Sequence, residues 1–292
     1  MLKKRLLVIM LFFGFTVFAQ LKGKVTDENN NPIPYVNIAV ENENNGTSSE
    51  ENGEFSINLL NENKNLIFTA LGFEKKTIKA SETSKVVLKP TEYQLSEVII
   101  AKKFGSKQEE IGETDNKICQ SFDNGPRIDI KFFPYLESYK RTKYIKQVKI
   151  YTDSRIEKAT IKIHFYKVDP NGFPGDEFLK KDFVVTVKKG TTNNIYDLAE
   201  LSMKMPKNGI FVGFEKLIIE KNKVEKTTID LITNKPKTQK TYYPFCMYNH
   251  VERESLFTFS GGKWNKQTKE NSNGSSNKIM VFEPAINLIL SN

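Results

Sequence analysis

The feature that most constrains this chain is an alternation of apolar and polar residues with a period close to two. It is clearest at residues 35–40, 54–59, 160–165 and 182–187, which are rich in β-branched and aromatic side chains. Asn-, Pro- and Gly-rich turn segments separate these stretches, at residues 27–32, 51–53, 169–172 and 207–209. Short strands at this spacing are typical of sandwiches and barrels. We therefore predict an all-β fold, with a helical turn only within residues 194–205.

The N-terminus has the composition of a secretory signal peptide. Lys3, Lys4 and Arg5 form a positive region, and residues 6–18 are apolar apart from Gly14 and Thr16. This run is shorter than the roughly 20 residues that span a bilayer, so a signal peptide at residues 1–19 is favoured over a membrane anchor. Cleavage after Ala19 would leave Gln20 first, and the absence of a Cys there argues against a lipoprotein.

The charge pattern leaves two alternatives for the basic residues, a solvated strand face, which is favoured, and a patch for nucleic acid or anionic lipid. Loss of the three leader charges would lower the formal net charge from +9 to +6. The densest basic group is interleaved with apolar residues, as on the solvent face of a strand, and consists of Lys140, Arg141, Lys143, Lys146 and Lys149. Because export removes the chain from most nucleic acid, we expect none as a partner. No second apolar stretch of spanning length follows, so no transmembrane segment is expected after signal cleavage, and the protein is expected in the periplasm, at the outer membrane or secreted.

The two cysteines, Cys119 and Cys246, leave two alternatives open. An oxidising exported compartment permits a disulfide between them. Such a bridge requires Cα atoms within about 7 Å, which the sequence does not establish. The other alternative is two separate thiols.

A change in composition divides the chain into two domains. The first block ends with the strand-like residues 98–100, so we place the first domain at residues 20–101. Residues 102–127 show little alternation and are predicted to be a linker. Alternation resumes at Ile128, which gives a second domain at residues 128–292 with a long loop near residues 266–278.

The first block resembles a carboxypeptidase-regulatory-like domain, a small transthyretin- or immunoglobulin-like β-sandwich common in bacterial envelopes. The matching segments are residues 23–27, 31–38, 46–47, 51–55, 71–73 and 95–100. Their local chemistry agrees with a sandwich: Asn52 and Gly53 suit a tight hairpin, and Gly72 allows a bend where Phe73 enters the core.

The resemblance implies an accessory domain without catalytic residues. Such domains accompany zinc carboxypeptidases, whose metal is held by a His-x-x-Glu pair and a distant His. This chain has only His164 and His250, and neither begins a His-x-x-Glu motif. In TonB-dependent receptors the domain precedes a plug and a large barrel, for which the remaining residues are too few. We therefore expect no catalytic residue, no metal site and no cofactor, although paired carboxylates or a spatial triad remain possible in a fold of this size.

The second block resembles the C-terminal part of exported bacterial proteins in which the same domain precedes an uncharacterised β-sandwich. The matching segments are residues 161–166, 171–175, 209–215 and 262–264. The resemblance implies a larger, jelly-roll-like β-sandwich and no known activity.

Few residues of the second block are candidates for a site. Trp264, with Tyr242, Tyr243, Phe257 and Phe259 nearby in sequence, could form an aromatic platform for a sugar ring. Aromatic residues at alternate positions, such as Phe257 and Phe259, are more often core. Asp169, Asn171 and Asp176 could offer oxygens to Ca²⁺, but their spacing favours a Pro/Gly hairpin. His164 shares one face of a strand with Lys162 and Tyr166, and we expect it at the surface.

These patterns favour a non-enzymatic envelope protein that acts as a binding or structural module for another envelope protein, a polysaccharide or the outer-membrane surface. The alternatives are a jelly-roll carbohydrate-binding module built around Trp264 and an accessory or unrecognised envelope hydrolase. Exposure of Trp264 distinguishes the first alternative, and a cleft with converging polar groups of perturbed pKa distinguishes the second.

Overall fold

The computed structural model describes residues 19–59, 61, 63–91, 105–112, 119–230, 234–269 and 278–292. Within these ranges the protein is all-β, with strands joined by turns and four short 3₁₀ segments. The predicted signal peptide, apart from its last residue, lies outside them. No helix in the described ranges is long and apolar enough to cross a membrane.

The first domain is a small sandwich of two sheets, in the orders β4-β1-β7 and β3-β2-β5-β6. Its strands are β1 (Ala19–Thr26), β2 (Asn37–Val40), β3 (Gly46–Ser48), β4 (Glu54–Leu59), β5 (Asn65–Thr69), β6 (Lys76–Lys79) and β7 (Lys85–Val87). β1 pairs antiparallel with β4 and parallel with β7. The alternation in β4 buries Phe55, Ile57 and Leu59 in the core between the sheets. Gly53 adopts φ +77°, the left-handed conformation that the hairpin before β4 requires.

The second domain is a larger sandwich whose strands form two seven-stranded sheets. One sheet has the order β13-β12-β16-β10-β20-β21, with β14 also paired to β12; the other has the order β22-β19-β11-β23-β8, with β15 on β11 and β9 on β19. The first sheet contains β10 (Ile128–Phe133), β12 (Ala159–Val168), β13 (Pro174–Glu177), β14 (Phe183–Val187), β16 (Ile210–Lys216), β20 (Leu256–Ser260) and β21 (Lys263–Gln267). The second contains β8 (Gln108–Ile111), β9 (Cys119–Ser121), β11 (Tyr144–Ser154), β15 (Gly190–Asp197), β19 (Phe245–Arg253), β22 (Ile279–Pro284) and β23 (Ile286–Ser291). A separate, exposed hairpin joins β17 (Lys223–Ile229) to β18 (Pro236–Tyr242).

β12 is buried on both faces, although it alternates in sequence like a half-exposed strand. Ile161, Ile163 and Phe165 enter the core between the two sheets. The opposite face carries Lys162, His164 and Tyr166, each no more than 8% exposed. The first domain and neighbouring loops lie over this second face. The alternation therefore shows to which face of the sheet each side chain points, but not whether that face is exposed to solvent.

Direct hydrogen bonds join the two domains. The Asn37 side chain donates to Glu215 Oε1 at 2.7 Å, and Lys75 Nζ donates to the Gly262 carbonyl at 2.7 Å. Tyr35 of the first domain packs with Leu217 and Ile219 of the second in a small buried cluster. Polar and apolar contacts together fix the position of one sandwich against the other.

The structure differs from the predicted linker at residues 102–127. Within that range β8 pairs with β23 and β9 pairs with β19, so both strands belong to a sheet of the second domain. Backbone pairing stabilises such edge strands without demanding apolar side chains, which is why their sequence shows little alternation. The helical turn expected within residues 194–205 is a short 3₁₀ segment at Ala199–Leu201, because residues up to Asp197 continue β15.

The strand register separates the two cysteines. Cys119 lies opposite Asn249, three residues along β19 from Cys246. At about 3.3 Å per residue this is about 10 Å along the strand, longer than a disulfide allows. Cys246 is buried, and its thiol donates to the Met247 carbonyl at 3.3 Å.

Candidate functional site

A cleft of about 680 Å³ lies between the two domains. The first domain contributes one wall, formed by residues 69–73 and Thr91. The floor is the outer face of β12 with its neighbours β13 and β16, and Trp264 and Phe259 form the opposite wall. This volume falls within the range of typical small-molecule sites, roughly 300–1,000 Å³.

The floor is organised by the pairing of β12 with its neighbours. Glu215 of β16 lies opposite Lys162, and Glu177 of β13 lies opposite Tyr166. His164 lies between them and faces Gly213, where a Cβ atom would come within 3.0 Å of Ile130. A side chain at position 213 would therefore crowd Ile130 and the Cβ atom of His164.

The His164 ring bridges two carboxylates. Its Nδ1 lies 2.5 Å from Glu177 Oε1, and its Nε2 lies 2.8 Å from Glu215 Oε2. Both nitrogens donate only if the ring is protonated. Burial disfavours the imidazolium, but the negative charge of Glu177 and the hydrogen bonds to both carboxylates outweigh it and raise the pKa of His164 to about 10.

Glu215 is ionised by the same network. Burial alone would raise its pKa, but the charge of Lys162 and hydrogen bonds from His164 and Asn37 lower the pKa to about 2. Lys162 in turn lies 3.0 Å from Asp182. The pKa of Tyr166 is raised well above its usual value, by burial first and then by the charges of Glu177 and Glu215. The floor is thus a set of mutually compensated ion pairs beside a neutral phenol.

Trp264 forms the aromatic edge of the cleft. It is half-buried on β21, the strand at the margin of its sheet. Its ring meets Tyr166 edge-on, with centroids 5.1 Å apart and planes at 86°, and it packs in a similar way against Phe259 at 5.3 Å. Trp264 therefore both supports a small apolar cluster and lines the cleft.

Two residues of the predicted aromatic platform, Tyr242 and Tyr243, lie elsewhere. Tyr242 ends β18 in the exposed hairpin, and Tyr243 is 5% exposed and packs against Phe245 at 4.8 Å. Neither lines the cleft. Trp264 packs against Phe259, one of its predicted neighbours, and against Tyr166, which the sequence prediction did not include. Strand pairing brings β12, β20 and β21 into one sheet.

The expectation that His164 lies at the surface is wrong: its side chain is 9% exposed. The sequence places it correctly beside Lys162 and Tyr166 but does not show that another domain covers that face. His250 lies on β19 and stacks on Phe282 at a centroid distance of 4.7 Å, outside the cleft lining.

The loop with Asp169 is a turn between β12 and β13. Asp169 Oδ1 accepts hydrogen bonds from the backbone amides of Asn171 and Phe173, at 2.8 and 2.7 Å. Among the described residues no group of three or more His, Cys, Asp or Glu side chains could hold a metal ion. In the His164 cluster the two carboxylates lie on opposite sides of the ring and do not converge on one point.

The sequence contains one signal for this cluster that could have been used. Lys162, His164 and Tyr166 form a polar row on one strand face, and Glu215 is a carboxylate that directly follows the apolar residues 210–214. Buried charges are normally paired, so such residues in predicted strands suggest partners for each other. Which partner each finds depends on the strand order, which the sequence does not give.

A second cavity of about 700 Å³ opens on the second domain, away from the first. Its lining includes Phe132, which is 42% exposed, and a buried ion pair in which Lys131 Nζ lies 3.2 Å from Glu283. Its lining residues all belong to the second domain, and they do not include His164, Glu177 or Glu215.

Comparison with known proteins identifies part of the chain. No curated protein matches it significantly. A family model, the CarboxypepD_reg-like domain, matches residues 21–100, which supports the predicted nature of the first domain. Residues 21–100 are thus similar to a CarboxypepD_reg-like domain, and in this protein they are joined to a larger β-sandwich.

Proposed function

We propose that the protein is a non-enzymatic, exported binding module of the cell envelope, and that its ligand occupies the cleft between the two domains. The observation that carries this proposal is the cleft itself. It combines aromatic side chains with fixed polar groups, as small-molecule sites do, and it is built by both domains. A CarboxypepD_reg-like domain in an accessory role and a leader of the secretory type support the location.

The state of the charged groups supports binding over catalysis. A histidine acts as a general base only through a free nitrogen lone pair, and both His164 nitrogens instead donate to carboxylates. Glu215 is held ionised by three partners and is 2% exposed. Groups whose protons are held this firmly orient a ligand and stabilise the cleft, whereas a hydrolase requires a group that exchanges its proton near the working pH.

The test is retention of ligands from a cell-envelope extract by three forms of the immobilised full chain. Thr91 is exposed at the cleft, so Thr91→Trp should fill it, while Thr228→Trp adds the same indole to the exposed hairpin. We expect the wild type and Thr228→Trp to retain the same ligand and Thr91→Trp to lose it. The ligand should be recovered chemically unchanged, since cleavage would support the hydrolase alternative. Equal retention by all three forms would place the ligand outside the cleft, and no retention would refute the binding proposal.

A further inference from the structure

We infer that the ligand of the cleft is an uncharged oligosaccharide, an inference that rests on the binding function proposed above. Three features of the cleft carry it: its charge balance, the hydrogen-bonding character of its floor and the aromatic edge at Trp264.

The charges that line the cleft cancel. The cations are Lys162, His164, Lys167 and Lys180, and the anions are Asp176, Glu177, Asp182 and Glu215. A cleft lined by one sign of charge concentrates ligands of the opposite sign, and this balance gives no such preference.

The deep charges are also unavailable to a charged ligand. His164 is held by Glu177 and Glu215, and Lys162 by Asp182 at 3.0 Å. An anion or cation would have to break one of these buried pairs and leave its partner uncompensated, which is strongly unfavourable. A neutral ligand leaves all of them intact.

The floor excludes a purely apolar ligand because its polar groups would lose their hydrogen bonds to water. Carboxylate oxygens accept several hydrogen bonds each, and an apolar surface pressed against Glu177, Asp182 or the side chain of Asn37 would remove water without replacing its hydrogen bonds. Saccharide hydroxyls both donate and accept, so they can replace that water.

Trp264 supplies the complementary surface. A sugar ring presents C–H groups on its faces and hydroxyls around its rim. The face of an aromatic ring carries partial negative charge and attracts the slightly positive hydrogens of C–H groups. With Tyr166 nearly perpendicular to it at 5.1 Å, the indole is fixed by packing before any ligand arrives. Pre-organised aromatic side chains contribute affinity because little side-chain entropy is lost on binding.

Trp264 is the only tryptophan of the chain, so fluorescence excited selectively at tryptophan reports on this wall of the cleft alone. The full chain is titrated with three neutral hexasaccharides, cellohexaose, laminarihexaose and mannohexaose, and with anionic hexagalacturonate and cationic chitosan hexamer. We expect a saturable fluorescence change with at least one neutral hexasaccharide and with neither charged one.

Calorimetry then compares variants on the hexasaccharide that binds. Trp264→Ala should weaken binding by roughly tenfold or more, as loss of an aromatic anchor does. Phe132→Ala removes an exposed aromatic from the second cavity and should bind like the wild type. Thr91→Trp blocks the cleft from the side of the first domain and should abolish binding without any change in β21. This variant therefore tests the cleft even if Trp264→Ala does not fold.

Binding of only the charged hexasaccharides, or an unchanged affinity of Trp264→Ala and Thr91→Trp, would overturn the inference. If none of the neutral sugars binds while Thr91→Trp still abolishes retention of an envelope ligand, the saccharide inference fails and the proposed function stands. If neither experiment detects a ligand, both fail.

Discussion

Replacement of His164 by Ala tests whether the buried imidazolium holds the cleft floor together. The change leaves Glu177 and Glu215 without the cation that lies 2.5 and 2.8 Å from them. Removal of one partner from a buried ion pair costs about 3–5 kcal/mol. For a domain of this size each kcal/mol lowers Tm by about 2–4 °C, so a decrease of about 6–20 °C is expected.

The same ion pairs predict how the free energy of unfolding changes with pH. The pKa of His164 rises from 6.5 in the unfolded chain to about 10 in the folded protein. A raised folded-state pKa means that the stabilisation is fully present below pH 6.5 and is lost as pH rises through about 10. The wild type should lose stability across this window, and His164→Ala should lack that part of the loss.

Urea unfolding followed by circular dichroism at pH 6 and pH 9.5 measures both effects. His250→Ala is the matched control, because His250 is the other histidine of the chain and stacks on Phe282 without a carboxylate bridge. A His164→Ala protein within about 1 kcal/mol of the wild type at pH 6 would refute the account of the buried cluster, since loss of a paired buried charge exceeds that amount.

Three further predictions concern other parts of the molecule. Glu215→Gln removes a carboxylate whose pKa is lowered to about 2 in the folded protein, so the stabilisation from its charge is present above pH 4.5 and lost as pH falls through 2. In unfolding titrations the variant should lack this loss of stability at acid pH. A pH profile identical to that of the wild type would contradict the prediction. Gly53→Ala should destabilise the protein more than Gly172→Ala, although both positions have a left-handed φ, of +77° and +78°. A Cβ atom at position 53 would lie 2.4 Å from the Val25 carbonyl oxygen, whereas one at position 172 would have no atom within 4 Å. Urea unfolding midpoints compare the two variants, and equal losses of stability would show that the contact with Val25 is unimportant. Iodoacetamide should label both Cys119 and Cys246 in denatured, unreduced protein, because the register keeps them about 10 Å apart along β19; an intact mass without either label would show a bridge.

The sequence by itself determined the elements of this protein. Alternation in residues 54–59 and 160–165 predicts strands that the structure contains, and Asn52-Gly53 predicts the hairpin that precedes β4. The nature of the first domain also follows from sequence, because a family model matches residues 21–100. Such features are local, since they depend on residues a few positions apart.

The tertiary structure alone decided the site. Glu215 lies 51 residues from His164 in sequence, and Asn37 lies 178 residues from Glu215, yet all three share one hydrogen-bonded cluster. Their meeting depends on the strand order β13-β12-β16 and on the packing of the first domain over that sheet. Period-two alternation fixes which residues share a face, but it does not reveal whether water or another domain covers it. For that reason His164 was expected at the surface and lies instead in the floor of the cleft.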